Sequence, residues 1–164
     1  MTDDAFETAL LKADVHPIEG REVFWLVVKS QLEHIVSEIA INRVPGSQSY
    51  ISGISAWQGL VVPVINLEKY YHLKTVHQLV SRKKLLVRTA VQDRKNVAAR
   101  LFIDIPHDIR MKSVSKKDCA ASPGLLAETA GVEDLAGIFE WEKDKLLLIP
   151  DLNRIAAGKT VGEQ

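Results

Sequence analysis

The chain is poor in cysteine, aromatic residues and net charge, and it contains no long apolar run. A single cysteine, Cys119, stands among 164 residues. It cannot close an internal disulfide, and alone it cannot build a thiolate zinc site. Its setting, Lys116-Lys117-Asp118-Cys119-Ala120-Ala121-Ser122-Pro123-Gly124, reads as a loop carrying an incidental thiol. Lys+Arg and Asp+Glu number 21 each, which excludes a nucleic-acid binder that relies on bulk positive potential. Aromatics make up 6% and are not interleaved with the basic run Arg82-Lys83-Lys84, as stacking on single strands would require. Nothing approaches the 18 apolar residues of a membrane span. The opening is acidic (Asp3, Asp4, Glu7), not the basic-then-apolar pattern of a secretory signal. The expectation is a cytoplasmic protein with no nucleic-acid partner and no direct membrane insertion.

What the chain does have is an ordinary globular interior. Its hydrophobic fraction is 46%, enough for one domain or two tightly packed subdomains. Val23–Val28 is rich in β-branched and aromatic residues and too short for a helix, so it reads as a strand. A weaker strand around Ala9–Ile18 precedes it, across a turn at Glu19-Gly20. Leu32, Ile35, Ile39 and Ile41 suggest a strand and then a loop ending at Pro45-Gly46. Leu60–Ile65 is a buried-strand pattern broken by Pro63, which places it at a sheet edge or beside a bulge. Further strands are expected at Leu85–Val91, Val97–Ile105, Asp108–Val114, Ala136–Trp141 and Leu146–Ile149. Helical turns are expected at Asn66–His72 and at Leu152–Ala157, the latter closed by Gly158, with a further short helix within Ser47–Ala56. Many short strands with regular turn signals mean an all-β barrel or sandwich.

Charge is spread unevenly along this pattern. Residues 82–117 hold eleven bases against three acids, and residues 118–164 nine acids against four bases. Such segments either steer a charged protein partner or cancel in three dimensions.

No catalytic set emerges. His16, His34, His72, His77 and His107 show no helical zinc spacing, and HExxH, GxSxG, P-loop and GxGxxG patterns are absent. His72 and His77 lie five apart in a presumed loop, where a metal would need a carboxylate from elsewhere. No metal, cofactor or catalytic residue is therefore expected.

The two halves echo each other. Gly59-Leu60-Val61-Val62-Pro63-Val64-Ile65-Asn66-Leu67 and Lys145-Leu146-Leu147-Leu148-Ile149-Pro150-Asp151-Leu152-Asn153 share a turn, an apolar run, a polar residue and a leucine. This suggests two related barrels, one per half.

The segment Val44–Leu67 (VPGSQSYISGISAWQGLVVPVINL) resembles the signature of CheW-like chemotaxis coupling domains, with two glycines, two prolines and the apolar positions in register. Looser matches follow at Ile103-Asp104, Gly137-Ile138 and Ile149-Pro150-Asp151-Leu152, so the resemblance covers about residues 15–157. It implies an all-β fold with a few short helices, two five-stranded SH3-like barrels packed together, and no enzymatic activity. On this reading residues 1–14 are a tail or short helix, 15–157 one domain with barrels at about 15–80 and 81–150, and 158–164 a C-terminal tail. The implied partners are the regulatory domain of a CheA-type histidine kinase and the cytoplasmic tip of a methyl-accepting chemoreceptor.

Leu32, His34, Gly53, Trp57, Gln58, Gly59 and Pro63 are the candidate partner-binding residues. Gly53 and Gly59 permit positive φ or a close approach by a partner's backbone, and Trp57 is either an interface anchor or a core plug. The chain departs from the family where it has Gln58 for an arginine, His34 with Glu33 adjacent at a glutamate position, and Asn66 for an aspartate. Gln58 cannot make the family's charge-assisted pair, and a His34–Gln58 hydrogen bond is one replacement. These departures leave open an adaptor that binds kinase and receptor, a regulator or twitching-type variant that binds one of them, and, remotely, an enzyme around His72, His77 or Cys119.

Overall fold

Apolar runs of five to ten residues flanked by turn formers build strands throughout the chain. The structure, a computed structural model, describes residues 5–77, 83–121 and 134–161. Its strands are β1 (Ala5–Lys12), β2 (Glu22–Val28), β3 (Leu32–Ser37), β4 (Ile51–Trp57), β5 (Leu60–Ile65), β6 (Lys83–Gln92), β7 (Ala98–Ile105), β8 (Ile109–Ser115), β9 (Cys119–Ala121), β10 (Gly137–Trp141) and β11 (Lys145–Ile149). Two short helices, α1 (Leu67–Tyr70) and α2 (Leu152–Ala156), follow β5 and β11. The strands form a six-stranded sheet ordered β8-β1-β2-β11-β10-β9 and a five-stranded sheet ordered β3-β6-β7-β5-β4.

The sequence echo belongs to a larger repeat. In the first half β1, β2, β3, β4, β5 and α1 follow in order; in the second half β6, β7, β8, β10, β11 and α2 correspond to them. The counterpart of β9 is the isolated bridge that Asn42 makes with Ile54 of β4. Each half donates its opening hairpin to the other half's sheet, so β5 runs parallel to β7 and β11 runs parallel to β2. Both helices are capped alike: Asn66 accepts the Lys69 N–H at 2.9 Å and Asp151 accepts the Arg154 N–H at 3.0 Å. Gly158, at φ 76°, ends α2, with N–H bonds from Gly158 to Ile155 and from Lys159 to Arg154 in a Schellman arrangement.

Three apolar clusters result among the described residues. The largest lies between the sheets, where Trp25 stacks on Tyr71 at 5.5 Å and Leu85, Val87, Leu101, Ile103, Leu146 and Leu148 are buried. Leu10, Phe24, Leu26, Val114, Trp141 and Leu147 fill the six-stranded subdomain, and Val62, Val64, Leu86 and Phe102 fill the five-stranded one.

Several expectations need correction. The division near residue 80 is not where the sheets part, because β6 and β7 join the sheet of β3–β5 while β8–β11 join β1 and β2. One sheet has six strands instead of five. Residues 5–12, expected in a tail or short helix, form β1, whose Ala9, Leu10 and Leu11 are buried between β2 and β8. Residues 1–4 lie outside the described residues. The helix expected within Ser47–Ala56 is instead a turn leading into β4, since Ile51, Gly53 and Ser55 alternate towards the interior. Cys119 opens strand β9 and is not in a loop. The C-terminal tail is anchored at its start: the Lys159 carbonyl accepts the Tyr70 hydroxyl at 2.6 Å, and Val161 packs on the main core.

Candidate functional site

The residues singled out from the sequence gather on β3, β4, β5 and the β4–β5 turn, within one sheet. Trp57 pairs with Leu60, leaving Gln58 (φ 46°) and Gly59 (φ 79°) as a two-residue turn. Positive φ at both positions is the type I′ geometry that matches strand twist. Glycine meets that requirement freely, whereas glutamine carries a left-handed strain. Gln58→Asn, which suits this conformation better, is expected to raise stability by about 0.5 kcal/mol. A urea midpoint at or below that of the parent protein would contradict the turn assignment.

Trp57 lies at a seam. β3 and β4 are the two edges of their sheet, and the His34 ring on β3 meets the Trp57 ring on β4 with centroids 5.4 Å apart. Beneath them Phe102 meets Trp57 edge-on at 6.0 Å. The contact draws the edges together and curls the sheet around its apolar cluster. Trp57 is thus half core and half surface. Among the described residues no hydrogen bond links His34 to Gln58.

A β-bulge at the adjacent residue redirects Glu33. The β3–β6 register jumps between Leu32 and His34, and Glu33 reaches the Arg100 Nε at 2.6 Å. A charged pair therefore exists beside the seam, supplied by β7 and not by position 58. A second bulge interrupts β4 between Ile51 and Gly53. There the Ser52 hydroxyl donates to Asp104 at 3.0 Å, and Asp104 pairs with the buried Lys84 at 2.7 Å.

The other candidates have different settings. Leu32 packs against the main core. Gly53 is approached closely, but by the chain itself: a Cβ there would lie 2.6 Å from the Asn42 carbonyl oxygen. Pro63 is not on an edge strand, because β5 lies between β4 and β7. Its missing N–H costs no ladder bond. Opposite it, Ile54 spends both its N–H and C=O on Asn42, at 2.8 Å each, so Ile54 and Pro63 are a non-hydrogen-bonded pair. On the other side, pairing with β7 begins only at Val64.

The outer face of this hairpin is apolar. Ile54 faces Pro63 and Ala56 faces Val61, and strand alternation turns all four away from the interior that holds Trp57, Val62 and Val64. Val61 is 71% exposed. Within the strip, Pro63 is a candidate partner-binding residue from the sequence, whereas Val61, expected in a buried strand, faces solvent.

Three buried or half-buried polar residues were missed. Glu68 is almost fully buried on α1, accepting the Asp14 N–H at 3.0 Å and the Trp25 indole N–H at 3.2 Å. Burial raises its pKa against the opposing pull of these hydrogen bonds. Asp14 in turn gathers His77 and His107, with ligand-type atoms within 4.8 Å of one another. Glu68 sits mid-pattern as a formally surface residue, and Asp14 and His107 are 93 positions apart, so spacing carries no signal for either. Cys119 is no activated thiol, since burial and Asp118 push its pKa up.

Two interlocked all-β subdomains, each closing its own apolar cluster and sharing a third, define a known architectural class. The crystal structure of the scaffolding protein TtCheW from Thermoanaerobacter tengcongensis superposes with a TM-score of 0.62 at 18% identity, over 92% of this chain and 92% of that one. The sequence matches the CheW-like domain family across residues 20–159, and the chain belongs to that family. A search of curated proteins finds no significant match. No helix among the described residues is long and apolar enough to cross a membrane.

Proposed function

We propose that this chain is a non-enzymatic chemotaxis scaffold that couples a CheA-type histidine kinase to the cytoplasmic tip of a chemoreceptor, acting in the cytoplasm at receptor arrays. The supporting observation is the outward strip of exposed Ala56 and Val61 and half-buried Ile54 and Pro63 on a hairpin of a CheW-like domain. We assign the strip to the kinase regulatory domain. A β-branched residue left 71% exposed between small apolar neighbours suits burial against a partner's apolar surface better than it suits water. The seam residues His34, Trp57 and Gln58 lie at the end of the same hairpin and belong to the same contact.

Titration of the purified protein with the isolated kinase regulatory domain, and separately with a receptor-tip helical bundle, tests this. Val61→Glu is expected to weaken kinase binding at least 30-fold, the scale of roughly 2 kcal/mol for a charge set into an apolar contact. Receptor binding and the urea midpoint should be unchanged. Equal kinase affinity for parent and variant would remove the strip from the interface.

A second reading is favoured by one observation: Gln58 is exposed at the tip of the turn and brings no charge. On this reading the protein is a single-partner regulator, or a twitching-type variant, that lacks one contact. Binding to one partner only, extended to the second by Gln58→Arg, would select it.

A further inference from the structure

We infer that Asp14, His77 and His107 form a binding site for one divalent transition-metal ion, with zinc the expected occupant. Asp14 follows β1, His77 lies in the connection after α1, and His107 lies in the turn between β7 and β8. The Asp14 side chain is only 4% exposed. Its Oδ1 lies 3.0 Å from His77 Nδ1 and 3.1 Å from His107 Nε2. The His77 backbone N–H donates to the same carboxylate at 3.2 Å, and the Val76 N–H to the Asp14 carbonyl at 3.0 Å, so the backbone holds the connection in place.

The spacing suits a metal. Zinc ligands about 2.0–2.1 Å from a tetrahedral ion stand roughly 3.3 Å from each other. Two of the three ligand–ligand separations are already near that value, and the third, between the two nitrogens, is within 4.8 Å. The rings stand edge-to-face with centroids 5.4 Å apart, so a modest ring rotation brings both nitrogens onto one ion. One carboxylate and two neutral imidazoles are a donor set of borderline softness, suited to zinc and its neighbours and poorly suited to calcium or magnesium.

The site is also accessible. It opens into a pocket of about 300 Å³, whose wall includes His16, Glu22 and Lys12. Water entering from this pocket can complete the coordination. On binding, the ion replaces the two imidazole–carboxylate hydrogen bonds. Each ring then carries its proton on the nitrogen facing away from the metal. The ion would tie together one connection within each sheet and the β7–β8 turn that passes between them, so occupancy should register as stability.

Metal-stripped full-length protein is titrated with zinc chloride and, separately, with cobalt chloride. Zinc at 100-fold excess over its dissociation constant is expected to raise the melting temperature by roughly 5 °C, reversibly with chelator. One equivalent should be retained after gel filtration, and cobalt should give the visible absorption of a four-coordinate complex. His77→Ala removes a largely exposed ring and leaves the backbone bond to Asp14 intact, so it should fold and lose all three effects. His107→Gln should lose them as well. Absence of retained metal and of a cobalt spectrum in the parent protein would overturn the proposal, as would effects that persist unchanged in both variants.

Discussion

Gly53→Val is expected to cost about 3 kcal/mol or more and to leave the five-stranded subdomain poorly folded. A Cβ at this position would stand 2.5 Å from the Ile41 Cγ2, 2.6 Å from the Asn42 oxygen and 3.1 Å from the Asn42 carbonyl carbon. The Ile41 side chain is partly exposed and can rotate away. The Asn42 carbonyl cannot, because it accepts the Ile54 N–H at 2.8 Å while the Asn42 N–H donates back to Ile54 at 2.8 Å. Valine at position 53 must therefore break this bridge, the first-half counterpart of the pairing between β9 and β10. Gly59→Ala is the control. Gly59 also has positive φ, but a Cβ there meets nothing within 4 Å, so only the backbone strain of about 1 kcal/mol remains. Urea denaturation of both variants separates the two costs. A Gly53 variant as stable as the Gly59 variant would mean that Asn42 does not hold this position. The same geometry bears on binding. Loss of partner affinity in a Gly53 variant reports on folding, and Val61 is the cleaner probe of the surface.

The legible part of the fold is the part written in local periodicity. Nearly every apolar run expected to be a strand is one, from Val23–Val28 to Leu146–Ile149, because alternation and flanking turn formers act within a few residues. The helical turns after β5 and β11 are legible for the same reason, through the spacing of Leu67, Tyr70 and Tyr71 and through Gly158. The exchange of hairpins between halves was not. It depends on which strands pair, and the parallel pairing of Leu147 with Phe24 joins residues more than a hundred positions apart. Ser47–Ala56 misled because its serines and small residues fit a helix as well as a turn, and the bulge near Ser52 blurs the strand alternation.

The site divides along similar lines. His34, Trp57, Gln58 and Gly59 do come together at one end of the second sheet, whereas Leu32 serves the core and Gly53 serves the chain's own packing. The Glu33–Arg100 pair was invisible because a bulge redirects Glu33, and no single-residue pattern encodes a bulge. His77 was noted as needing a distant carboxylate, and Asp14 supplies one. The companion imidazole is His107, not the nearer His72, because the turn between β7 and β8 returns to the end of β1.

Glu68 offers the second large effect, with a pH dependence of defined sign. Its Oε1 is the acceptor for two buried donors, the Asp14 backbone N–H and the Trp25 indole N–H. Glu68→Ala leaves both without a partner and opens a cavity beside Trp25. The expected cost is about 3–5 kcal/mol, measured by urea denaturation at neutral pH. Glu68→Gln keeps an amide oxygen that can accept both bonds, and it carries no charge into the interior. Burial, the largest influence, raises the Glu68 pKa above its ordinary value of 4.5, and the nearby Asp14 charge adds to it. Between 4.5 and the raised value the folded protein binds more protons at this position than the unfolded chain. Its contribution to stability therefore falls as pH rises through that window and stays low above it. A tenfold tighter hold on the proton in the folded state corresponds to about 1.4 kcal/mol. Glu68→Gln should consequently gain stability relative to the parent as pH rises from below 4.5, and the gain should level off once the buried carboxyl has ionised. The subtraction cancels the titrating groups that do not interact with Glu68. A difference that does not change with pH would mean that Glu68 titrates alike in the folded and unfolded chains. A difference of opposite slope would mean that the two N–H donors outweigh burial and hold Glu68 as a stable carboxylate beneath Trp25.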